Sequence, residues 1–153
     1  MTNTMEKGKP INIRISSVEE TRVENNCGVI DLAGFTEDAL VFQFKVSAAI
    51  NVVKETIAVI ISIRYKFNNA DLFQAGAKVV FEVGSLEEMV SHDKDNNTVT
   101  FSCDIIPTLV NASYGTLRGI VYKETKYTPL EKYPIPLLPM RVLVDKCIVA
   151  VEE

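Results

Sequence analysis

The chain has 153 residues, of which 47% are hydrophobic and 24% charged, with a formal net charge of −4 and a pI near 5.1. That length supports one domain with a core that needs no covalent staples. The acidic balance, with no clustered Lys/Arg stripe, excludes nucleic acid and anionic membrane as partners, because both require a basic footprint.

Cys27, Cys103 and Cys147 are scattered and form no CxxC spacing, the pattern of incidental thiols in a reducing compartment. The N-terminal stretch lacks the apolar region of a signal peptide. The most apolar stretch, Val46–Ile61, is broken by Asn51 and Lys54-Glu55 and falls short of the roughly 20 residues of a membrane span. A cytoplasmic protein without direct membrane insertion is expected. Residues 1–9 read as a flexible tail, and 10–153 as a single domain.

In chain order, Ile11, Ile13 and Ile15 alternate with Asn12 and Arg14 and open a first strand. Its parity breaks at Ser16-Ser17 and resumes with Val18, which predicts a bulge. Glu24 to Asp38 is turn-rich and yields no element. From Leu40 to Val53 the even positions are apolar (Leu40, Phe42, Phe44, Val46, Ala48, Ile50, Val52); from Thr56 to Phe67 the odd ones are (Ile57, Val59, Ile61, Ile63, Tyr65, Phe67). A period of two marks strands with one buried face, and the parity switch across Lys54-Glu55 predicts an antiparallel hairpin. At roughly 3.3 Å per residue its arms reach about 43 Å. Val46, Ile50, Val53, Ile57 and Ile60 also fit a helical stripe, but the density of β-branched residues favours strands.

Asn68-Asn69-Ala70-Asp71 is a strong turn. Lys78–Val83 reads as the next strand, with Gly76 marking a bulge or kink. Gly84 to Asn97 is polar and stays unassigned. Ile105–Lys123 is the main helix, with Asp104 placed to cap it and Pro107 in its first turn. Ala112, Gly115 and Gly119 put small residues on it at helical spacing. Two interior glycines cost about 1 kcal/mol each relative to alanine, so close approach of another helix or sheet is the expected compensation. Tyr127 to Pro139 holds four prolines among apolar and aromatic residues and must run extended. Arg141–Glu153 fits a short helix or a final strand, with helix favoured.

No catalytic constellation emerges. His92 is the only histidine, and no His/Cys/carboxylate cluster has metal-ligand spacing. Asp93 and Asp95 lack the glycine and terminal glutamate of a calcium loop. Gly115-x-x-x-Gly119 falls within a helical pattern, where it forms no phosphate cradle. Glu19-Glu20 and Glu87-Glu88 suit solvated faces better than general acids. Neither an enzyme nor a cofactor is expected.

The succession of long alternating strands, a helix and a Pro-rich apolar crossover resembles the SecB-like export chaperones. The residues that carry it are Tyr114, Arg118 and Ile120-Val121 in the helix, then Pro129, Pro134, Leu137 and Pro139, which resemble that family's helix followed by its "TFP…L…P" crossover. The resemblance implies an α+β fold: a long four-stranded antiparallel sheet with one main helix and a short C-terminal helix packed on one face. It further implies a dimer or dimer of dimers, with Ala112, Gly115 and Gly119 in close packing between subunits. The implied activity is ATP-independent holding of unfolded polypeptides. Phe42, Phe44, Tyr127, Tyr133, Ile135, Leu137 and Leu138 would form the client groove. An export motor ATPase or a toxin–antitoxin pair is the implied further partner. The family's terminal helix is short or altered here, and its acidic motor-docking surface is not traceable. The competing reading is a small-ligand-binding or enzymatic α+β domain that uses the curved sheet as an apolar pocket.

Overall fold

The computed structural model describes residues 11–96 and 98–152; the predicted tail at 1–9 lies outside them. In chain order the elements are β1 (Ile13–Asn25), β2 (Leu40–Asn51), β3 (Thr56–Phe67), β4 (Ala70–Val83), α1 (Leu86–Met89), β5 (Val90–Asp93), β6 (Thr98–Phe101), α2 (Ile106–Thr125), α3 (Met140–Lys146) and β7 (Ile148–Val151). Short 3-10 turns cover Glu37–Ala39 and Pro129–Lys132.

The alternation in the sequence becomes the register of the hairpin. Phe42 pairs with Tyr65, Phe44 with Ile63, Val46 with Ile61 and Ile50 with Ile57, so both apolar parities fall on one face. The reversal lacks Gly or Asp at its tip. Asn51 supplies the turn chemistry instead, its side-chain oxygen accepting from the Lys54 N–H at 3.0 Å, while Glu55 takes a positive φ of 54°. The next reversal needs two residues, Asn68 and Asn69, at φ 51° and 62°, a conformation asparagine tolerates in tight hairpins.

Strand β4 begins at Ala70, directly after that turn, and runs through Gly76 rather than starting at Lys78. A Cβ at position 76 would lie 2.4 Å from the Thr21 Oγ1, and the β1–β4 register shifts there, between Glu20 and Val23. The bulge anticipated at Ser16-Ser17 is present as the shift between Ile15 and Ser17.

The expected four-stranded antiparallel sheet is corrected to a mixed sheet of five strands, ordered β1-β4-β3-β2-β7. Its extra strand is the C-terminal segment. Both readings of that segment hold in part: its start belongs to α3, Met140–Lys146, and the β-branched run after Cys147 then lies parallel to β2, Ile148 opposite Ser47 and Val151 opposite Ile50. The polar stretch left unassigned forms α1 and the start of the β5–β6 hairpin, whose turn is held by Asp93 accepting from the Asp95 N–H at 3.0 Å.

Helix α2 covers one face of the sheet at β3 and β4. Leu109, Val110, Tyr114, Leu117 and Val121 are buried beneath it with Val59, Ile61, Ile63 and Val79. Asp104 does not cap it; the N-cap position falls on Ile105, without a side-chain bond. Its 20 residues span about 30 Å, while the 12–14 residues of β1 to β4 span roughly 40–46 Å. The shortfall is visible at β1. Ile15 and Val18 pair with Phe81 and Val79 on the helix side of the sheet, yet they remain 50% and 51% exposed.

Candidate functional site: a pinned proline strap

The segment from Lys126 to Pro139 leaves the C-terminus of α2 and crosses back over the helix-covered face. Its start is locally determined. Tyr127 adopts φ 65°, and the Thr128 hydroxyl both donates to the Thr125 carbonyl at 2.6 Å and accepts from the Leu130 N–H at 3.2 Å. The residues expected to run extended from Tyr127 therefore first make the 3-10 turn Pro129–Lys132, which drops Leu130 into the core. Prolines then keep the strap extended from Pro134 to Pro139.

Two tyrosines from different elements pin the strap. The Tyr65 hydroxyl of β3 donates to the Tyr133 carbonyl at 3.0 Å, and the Tyr114 hydroxyl of α2 donates to the Pro136 carbonyl. Burial pushes both phenols up, Tyr114 to about 12 and Tyr65 further, with Tyr114 adding to the rise at Tyr65. Both stay protonated donors at neutral pH. Beneath the strap, edge-to-face rings link Phe35 to Phe67 and Tyr133, Phe42 to Tyr65, and Tyr65 to Phe73, with centroids 4.7–5.4 Å apart. Phe44 lies 5.8 Å from Tyr114.

The residues predicted to bind clients separate into three kinds. Ile135 is buried, and Phe42, Phe44, Tyr133 and Leu138 are half-buried against the core. Only Tyr127 and Leu137 stand free, at 89% and 79% exposure. Gly115 and Gly119 face open space, with no described atom within 4 Å of an added Cβ, so among the described residues no element makes the close approach expected of them; Ala112 is half-buried. Both glycines line an open depression of about 360 Å³ with Arg118, Tyr122, Pro134 and Ile135. The sequence reading missed Tyr122, which extends the Gly115–Gly119 row by one turn on the solvent side, and Phe35, which sits in the turn-rich stretch without periodicity.

Among the described residues no three His, Cys, Asp or Glu converge as metal ligands. Among the described residues no helix is long and apolar enough to cross a membrane. The three cysteines are free and half-buried, and burial raises the thiol pKa of Cys27 and Cys147.

No family model and no curated protein matches the chain. Among solved structures it is similar to a SecB-like chaperone of Mycobacterium tuberculosis, solved in complex with a ChAD peptide from an antitoxin. The TM-score is 0.49 at 17% identity, covering 82% of this chain and 86% of that one. The neighbour is of the kind the sequence resemblance anticipated.

Proposed function

We propose that the protein is an ATP-independent holdase that keeps non-native polypeptides soluble by binding their apolar segments along the proline strap. The observation that carries this reading is the strap itself. Its backbone is fixed by two buried phenols, and it holds Leu137 and Tyr127 almost fully in water. Apolar area kept in water forgoes roughly 25 cal/mol per Å², which an apolar segment of a client laid along the strap would recover. The sequence resemblance of α2 and the crossover supports the same activity, without enzymatic chemistry or cofactor, in the cytoplasm. Protein export or a toxin–antitoxin system is the proposed setting. A homodimer or dimer of dimers is proposed from the uncovered Ile15 and Val18 and from the open glycine face of α2.

The test is light scattering of an unrelated protein diluted from denaturant, with this protein at stoichiometric amounts and no nucleotide. Aggregation should fall, and Tyr127→Ser with Leu137→Ser should restore most of it while leaving the folded mass unchanged. Unaltered aggregation with the natural protein refutes the reading. The depression beside Ile135 favours one alternative, capture of a compact apolar ligand. It requires thermal stabilisation by such a compound and indifference to unfolded chains.

A further inference from the structure

The sheet treats its two outer edges differently. β1 carries two register shifts and the charged run Glu19, Glu20, Arg22 and Glu24, features that discourage another strand from pairing. β2 has neither feature. Its ladder to β3 is regular over all twelve residues, it contains no proline, and only its last third is paired outward, from Ser47 to Ile50 with β7. The Glu152 N–H donates to the Ile50 carbonyl at 2.7 Å, so the even-numbered peptide groups of β2 point away from β3, because backbone groups alternate along a strand. The Leu40 N–H closes the turn at Glu37. The peptide groups of Phe42 and Phe44 therefore face outward ahead of β7. Among the described residues, no turn, cap, loop or side-chain hydrogen bond reaches them. Helix α3, which precedes β7, packs against α2 and also touches β2, so the open part of the edge is the part that α3 and β7 leave uncovered.

From this we infer that the open edge of β2 from Val41 to Val46 takes an extended apolar segment of a non-native polypeptide as an added strand. The inference rests on the holding activity proposed above and specifies how the client is gripped. The edge accepts strands of this kind, since the chain's own Ile148–Val151 already adds to it. Peptide groups supply hydrogen bonds common to every sequence, which suits a client with no fixed motif. Selection for apolar segments follows from the geometry. Alternate side chains of the added strand would turn to the helix side, toward Phe42, Phe44 and the strap, and the others to solvent.

The experiment uses the full chain and a short synthetic peptide alternating apolar and polar residues, a pattern that fixes its frame on a one-sided edge. Two N-methylated versions are compared, one at each set of alternate amides. One frame should weaken binding by roughly tenfold or more, because several donors are lost together, and the other should bind like the parent. Amide exchange at Phe42 and Phe44 should be fast in the free protein and slow in the complex. Equal binding in both frames overturns edge pairing while leaving the holding activity intact. Failure of the parent peptide to bind, with aggregation of the unfolded protein still suppressed, overturns edge pairing alone. Protection of the Phe42 and Phe44 amides before any peptide is added means that a second copy covers the edge, which also overturns the inference.

Discussion

Tyr65 and Tyr133 are 68 residues apart in the chain, and the hydroxyl of the first holds the carbonyl of the second at 3.0 Å. This bond fastens the strap to the middle of the sheet, as Tyr114 does from the helix through Pro136. Replacing either tyrosine by phenylalanine keeps the ring packing and removes one bond. Each variant should lose about 1 kcal/mol of unfolding free energy. The double variant should also expose the strap to proteolysis near Leu137, read as faster cleavage under native conditions. Unchanged cleavage in the double variant would show that proline stiffness alone holds the strap.

The same phenols predict an alkaline limit to stability. Their folded pKa values lie above the ordinary tyrosine value of 10.0, at about 12 for Tyr114, because burial penalises the phenolate. A group whose folded pKa is raised contributes stability that is intact below its unfolded pKa and lost as pH rises toward the folded one. Denaturation midpoints should show no loss from these groups up to pH near 10 and should fall between there and about 12. Tyr114→Phe with Tyr65→Phe should flatten that decline. A double variant with the same alkaline slope as the natural protein would assign the loss to other groups.

The period-two pattern of Leu40–Val53 and Thr56–Phe67 was legible because one face of the sheet is buried and one is not, so each residue's parity reports its side. The bulge at Ser16-Ser17 was legible for the same reason. The hairpin of β5 and β6 was not, because each strand has only four residues, and an alternation as short as Thr98-Val99-Thr100-Phe101 does not stand out from a polar loop. The joining of β7 to β2 depends on where α3 delivers the chain, which no local pattern encodes. At the site, the apolar content of the strap could be read, but its separation into buried Ile135 and exposed Leu137 follows from the two tyrosine pins, and those link residues distant in sequence.

Gly76 tests the contact between β1 and β4. A methyl group there would meet the Thr21 Oγ1 at 2.4 Å and the Ser62 Cβ at 3.4 Å, and threonine in a strand has little freedom at χ1 to retreat. Gly76→Ala should destabilise by about 1–3 kcal/mol through overpacking. Thr21→Ala in the same chain should recover most of that loss, since it removes the clashing oxygen. Chemical denaturation of the three variants checks this; an absence of rescue would place the strain in the backbone of the bulge instead.

Gly115 and Gly119 give opposite signs for the lone subunit and for an assembly. Within one chain an added Cβ at either position meets nothing within 4 Å, and alanine is favoured over glycine in a helix by about 0.8–1.0 kcal/mol. Gly115→Ala with Gly119→Ala should therefore stabilise the isolated subunit, read at low protein concentration. In an oligomer whose helices approach across this face, the same methyl groups separate the surfaces. The mass in solution should then shift toward smaller species at concentrations where the natural protein is assembled. A double variant that is more stable and assembles as well as the natural protein would remove the glycine face from the interface and leave β1, with its exposed Ile15 and Val18, as the surface on which the subunits meet.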